Sequence, residues 1–157
     1  MNAGQYLSRL RSVYISMLSG IIAIALISYF FLKPTNGVAS GQSLYVMMGF
    51  TVAIFFLLLY LLLNKQKNQE ASDYKKLPEK LMAFQNNYVT VLAMLLGPAL
   101  LNFILFGIGG PFMNYYVGLF FLAILGTRFP TASHVSKCLQ LTQKESAQLI
   151  DKQFKLF

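Results

Sequence analysis

Four stretches of about twenty residues, none holding a charged side chain, constrain this chain more than any other feature. A bilayer core about 30 Å thick takes roughly 20 apolar residues at about 1.5 Å each in a helix. Residues 13–32, 44–63, 88–108 and 109–127 meet that length. The last, GGPFMNYYVGLFFLAILGT, is the least apolar of them. A helix at a water surface keeps a polar face, and a chain of 157 residues with 11% charged has no polar shell to cover four such runs. The sequence therefore predicts an all-α, polytopic membrane protein. Four transmembrane helices form an antiparallel bundle over residues 1–127, with a cytoplasmic loop at 64–87 and a cytoplasmic tail at 128–157.

Arg9 and Arg11 precede the first run as they would in a secretory signal. That run exceeds the usual apolar core of about 7–15 residues, and its end, FFLKPTNG, lacks a small-x-small cleavage pattern, so an uncleaved span is expected.

Lysine and arginine set the orientation. The N-terminal flank, the 64–87 loop and the tail together carry twelve of them, and the first loop carries only Lys33. All five acids, Glu70, Asp73, Glu79, Glu145 and Asp151, fall on the twelve-residue side. Both termini are expected in the cytoplasm, and the lysine-rich loops suit a bacterial inner membrane. Of the net charge of +8, all but the Lys33 charge is spread over three short flanks. Such a spread favours anionic lipid headgroups as partners, and without interleaved arginines and aromatics it argues against nucleic acid.

Local signals refine the boundaries. Tyr6, Leu7, Leu10, Val13 and Tyr14 recur at helical spacing and read as an amphipathic interfacial lead. Pro34 and Asn36-Gly37 mark a turn. The loop from Asn64 is polar and reads as mobile in its first half, after which Pro78-Glu79 starts the third helix. Pro98 should kink that helix, and Gly107-Ile108-Gly109-Gly110-Pro111 should close a hairpin, spanning or re-entrant. Pro130-Thr131 opens a short helix near 132–140. Thr142-Gln-Lys-Glu145 fits a capping box for another near 143–154, with Ala147, Ile150 and Phe154 on one face.

The spans hold no ionisable carboxylate, which argues against a proton-coupled exporter of the small four-helix kind. The single Cys138 excludes an intrachain disulfide and a multi-cysteine zinc site. His134 and Cys138 stand one helical turn apart, too few for a metal site and without a nearby acid to orient a nucleophile. No catalytic residue, metal or cofactor is expected. The tail run VSKCLQLTQKESAQLI resembles the opening of a helix-turn-helix but is too short for a DNA-binding unit, so it reads as an element docked at the inner face.

What remains is packing chemistry. Small residues four apart, Ser16/Gly20, Ser19/Ala23, Gly49/Ala53 and Ala93/Gly97, allow close backbone approach. Asn102 and Asn114 flank the hairpin turn, where they bond each other or a neighbouring helix, or else sit at the headgroups. The tyrosines near span ends (Tyr14, Tyr29, Tyr45, Tyr60, Tyr88, Tyr115, Tyr116) fit interfacial belts. These features favour a non-catalytic subunit or assembly factor of a larger membrane complex. A protomer of a small oligomeric transporter or channel is the alternative, ahead of a lipid-modifying enzyme.

Overall fold

A computed structural model describes residues 2–31 and 42–151. The expected turn at Pro34 and Asn36-Gly37 lies outside those residues, as does Phe154. Among the described residues the chain is all-helical, with six helices: α1 Ala3–Phe31, α2 Gln42–Ser72, α3 Leu77–Gly107, α4 Phe112–Gly126, α5 Ala132–Cys138 and α6 Gln143–Ile150. Three of them, α1, α2 and α3, are long and apolar enough to cross a membrane. The shorter apolar helix α4 has 15 residues, about 22 Å of axial rise.

Helix ends explain where these lengths depart from the sequence reading. Asn2 Oδ1 accepts from the Gln5 amide at 2.8 Å, and Gln5 Oε1 accepts from the Asn2 amide at 3.0 Å. That reciprocal cap starts α1 ten residues before the apolar run. The amphipathic lead is thus the first turns of one continuous helix, and its Tyr6, Leu7 and Leu10 are buried within the protein. Likewise α2 runs on to Ser72, so the expected mobile stretch is helical. Its Gln, Lys, Glu and Ala are good helix formers, and Asn64–Asn68 and Gln66–Glu70 bond at i,i+4. The third helix begins at Leu77 with Pro78 and Glu79 in its first turn, as the spacing predicts.

The end of α3 shortens α4. Gly109 adopts φ 107°. Its amide bonds Phe106 O at 3.2 Å, and the Gly110 amide bonds Leu105 O at 2.8 Å. This 6→1 and 5→2 pair is a Schellman ending, and Pro111 then blocks any continuation. The turn takes up residues that hydropathy alone assigned to the fourth span. A second ending of the same kind closes α5, with Gln140 at φ 49° and Leu141 N bonded to Ser136 O at 3.0 Å.

The chain divides into two compact units. Unit 1 takes the described residues of Met1–Ile15, Leu61–Val91 and Phe129–Phe157. Its core joins Tyr6, Leu10 and Tyr14 of α1, Leu81, Phe84 and Tyr88 of α3, and Val135, Leu139 and Leu149 of the tail. Tyr6 Oη donates to Leu81 O at 2.7 Å, tying α1 to α3. Asn87 Nδ2 donates to Lys67 O at 2.8 Å, tying α3 to α2. Arg11 places its guanidinium 5.7 Å from the Phe129 ring centre and donates to Pro130 O at 3.3 Å. Tyr14, Tyr60 and Tyr88, read from sequence as belt residues, are buried inside the protein instead, whereas Tyr29 and Tyr116 are exposed.

Unit 2 takes Ser16–Tyr60 and Leu92–Arg128, as far as described. Its interior is Ile21 and Ala25 of α1, Ala53 of α2, Leu95, Ala99 and Phe103 of α3, and Phe121 and Leu125 of α4. Phe103, Phe106, Phe112 and Tyr115 gather at the α3–α4 turn, with ring centres 5.1–5.4 Å apart. Large apolar side chains also face outward, among them Phe30, Met47, Phe55 and Leu58. So many exposed large apolar side chains on long apolar helices are what hydrocarbon solvates. The long apolar helices point to a membrane location.

Candidate functional site

Within unit 2, the two asparagines and Gly49 come together. Asn102 and Asn114 are 0% and 1% exposed. Asn102 sits one turn after Pro98 on α3. Its Nδ2 donates to Pro98 O at 2.8 Å and, across to α2, to Gly49 O at 3.4 Å. Asn114, in the first turn of α4, donates from Nδ2 to Tyr45 O on α2 at 3.0 Å. Gly49 is what makes room for them. A Cβ built there would lie 2.8 Å from Asn114 Nδ2 and nearer still to Asn102 Oδ1. Both Oδ1 atoms are buried with no hydrogen-bond partner among the described residues. An unmet acceptor costs about 1–3 kcal/mol, so the pair leans on its donor side to hold α2 against α3 and α4.

The other small residues singled out from sequence have different surroundings. Ala53 is buried one turn below Gly49, and Pro98 is buried on α3. Gly97 is half-buried with the Phe56 ring 3.6 Å from where its Cβ would be. Ser16, Gly20 and Ala93 are exposed, and nothing lies within 4 Å of the Gly20 Cβ position. Sequence reading passed over Gly118, which the Phe103 ring meets at 2.6–2.9 Å from a Cβ position. Its signal was its place one turn after Asn114, on the face that carries Phe121 and Leu125.

Contacts between α2 and α4 run in the same sense along both helices. Tyr45 meets Asn114, and Tyr60 meets Arg128 just past the end of α4, with the guanidinium carbon 5.2 Å from the ring centre. The two helices are therefore parallel within unit 2, and α4 covers the rise of α2 from residue 45 to 60.

In unit 1 the tail supplies the other polar constellation. Thr142 caps α6 in a complete capping box with Glu145, as the sequence predicts. Glu145 also pairs with Lys80 of α3 at 2.9 Å, both side chains being mostly covered. The buried face of α6 is carried by Leu149, and Ile150 is exposed, the reverse of the face read from sequence. Burial alone would raise the Glu145 pKa. The Thr142 amide and hydroxyl and the Lys80 ammonium outweigh burial and hold the carboxyl below its ordinary value. A depressed carboxylate stabilises the fold above its ordinary range, and that contribution is lost as pH falls through the lowered value. We expect the protection of α6 amides, corrected for their intrinsic exchange rates, to fall as pH drops from the ordinary carboxylate range through the lowered value. In Glu145→Gln the exchange should be faster at neutral pH by the equivalent of about 1–2 kcal/mol, with the acid dependence gone. Identical exchange in the two proteins at neutral pH would dismiss the anchor.

His134 Nε2 and Cys138 Sγ lie 3.6 Å apart on α5. Among the described residues no three His, Cys, Asp or Glu side chains gather where they could hold a metal ion. No protein-family model matches this sequence, no curated protein matches it, and no solved structure matches it.

Proposed function

We propose that the protein is a four-span membrane protein with both termini cytoplasmic, serving as a non-catalytic subunit or assembly factor of a larger membrane complex in a bacterial inner membrane. One observation carries the subunit reading. Two of the buried polar residues, Asn102 and Asn114, bond to backbone carbonyls of α2 and α3 and so fasten helices together. A path-lining role for α3 around Pro98 has less support, because Pro98 and Asn102 are buried in the packed interior.

The orientation draws on how charge is divided. Among the described residues every Lys, Asp and Glu lies in unit 1 with Arg9 and Arg11, and unit 2 holds only Arg128. Unit 1 gathers the N-terminal turns, the 64–87 loop and the tail, the three flanks that the lysine and arginine count assigns to one side. Three crossings would put the tail opposite the N-terminus. A fourth through α4 keeps them together, and the parallel run of α4 beside α2 supports it.

Two measurements test this reading. Cysteine introduced at Asn68 should react with a membrane-impermeant maleimide only after the cytoplasmic side is opened. Cysteine at Asn36 should react from outside, and the reverse pattern would invert the orientation. Extraction from native membranes in mild detergent, followed by native mass analysis, should give a particle with unlike subunits. A discrete homo-oligomer with nothing attached would remove the subunit reading.

A further inference from the structure

An apolar groove of about 280 Å³ runs along unit 2 between the parallel helices α2 and α4. Ala53 forms its small floor, Phe50 and Leu57 line it from α2, and Tyr116, Phe120 and Phe121 line it from α4. Its length follows the rise from Phe50 to Leu57, about 10 Å. One turn further along α2 stands Tyr60, with the Arg128 guanidinium over its ring at 5.2 Å. Arg128 is the one charged residue of unit 2 among those described. Neither Tyr60 nor Arg128 lines the groove, and the cation stands about one turn beyond its Leu57 end.

We propose that this groove binds one acyl chain of an anionic membrane glycerophospholipid, with the lipid phosphate at Arg128. Size decides between a chain and a helix. A slot of about 280 Å³ and about 10 Å in length has room for part of one acyl chain in single file. A helix about 10 Å across with its side chains does not fit that volume. Charge decides the lipid class, since a guanidinium beside an aromatic ring at a span end matches a phosphate and offers a zwitterionic headgroup less. Lipid tails are as apolar as the groove itself, so the slot contributes shape and close packing, and Arg128 contributes the selectivity. This inference rests on the membrane reading above. A protein that proves soluble without detergent would defeat that reading, whereas the assay below can fail in a protein that is plainly membrane-embedded.

The test is native mass spectrometry of the detergent-purified full chain, delipidated and then titrated with phosphatidylglycerol or phosphatidylcholine of equal chain length. Wild type should retain phosphatidylglycerol about fivefold more tightly, the equivalent of one basic contact. Arg128→Gln should bring the two lipids to equal retention. Phe120→Ala, at an exposed wall position that leaves the interior intact, should reduce retention of both lipids about twofold or more through lost contacts. Inorganic phosphate should leave the phosphatidylglycerol adduct unchanged at millimolar concentration. Equal retention of both lipids by wild type, or unchanged selectivity in Arg128→Gln, would overturn the proposal. A protein dimer that excludes lipid and dissociates in Phe120→Ala would overturn it too, assigning the groove to a second copy.

Discussion

Gly110→Ala is expected to be the most destabilising small substitution in the chain, lowering the unfolding free energy in detergent by about 3 kcal/mol. A Cβ at Gly110 would lie 2.5 Å from Leu105 O and 2.9 Å from Leu105 C, both backbone atoms of the preceding helix. A side chain can swing away from such a clash, but a helix terminus cannot without breaking its bonds. The Gly110 amide to Leu105 O bond would have to open, and with it the ending that aims α4 back along α2. Gly109→Ala should cost about 1–3 kcal/mol by a separate route, since φ 107° is a conformation L side chains rarely adopt. Thermal unfolding followed by circular dichroism in micelles measures both. A Gly110→Ala protein as stable as wild type would mean that the turn does not direct the hairpin.

The second large effect belongs to Gly49. Its missing side chain leaves the place where the Asn102 and Asn114 amides meet α2. Alanine there must displace both, and both are fully enclosed, so we expect a loss of about 1–3 kcal/mol. The two asparagines should couple to it. Asn114→Ala in the Gly49→Ala background should cost less than Asn114→Ala in wild type, because its bond to Tyr45 O has already been disturbed. Strict additivity of the two changes would show that the amides and the glycine do not form one unit. Asn102→Leu is a milder probe. It removes a bond worth about 0.6–2 kcal/mol and also relieves a buried carbonyl oxygen that has no donor.

What could be read from sequence divides along physical lines. Uncharged runs announced the long helices because hydrocarbon imposes length and composition at once. Pro78-Glu79 and the Thr142–Glu145 box announced two helix starts because capping is chemistry between residues three apart. The longer reach of α1 and α2 was not legible, since lysine, glutamine and asparagine can solvate a loop or face a helix equally well. Burial decides there, through contacts such as Asn87 to the Lys67 carbonyl, twenty residues away. The hidden tyrosines follow the same rule: Tyr6 reads as an interfacial residue until the Leu81 carbonyl, seventy-five positions on, accepts its hydrogen bond. In α6, eight residues are too few for periodicity to separate Leu149 from Ile150 as the inward position. The asparagine pair was visible as polar residues beside a turn. Their shared seat at Gly49 depends on the register of α2 against α3 and α4, which no local pattern encodes.

The claim beneath all of this is that hydrocarbon surrounds most of the chain. Membranes containing the full-length protein, washed at alkaline pH with carbonate and then treated with mild detergent, test it directly. The account predicts that the protein stays in the washed pellet and enters solution only with detergent. Recovery in the carbonate supernatant as a monodisperse, folded species in plain buffer would contradict it.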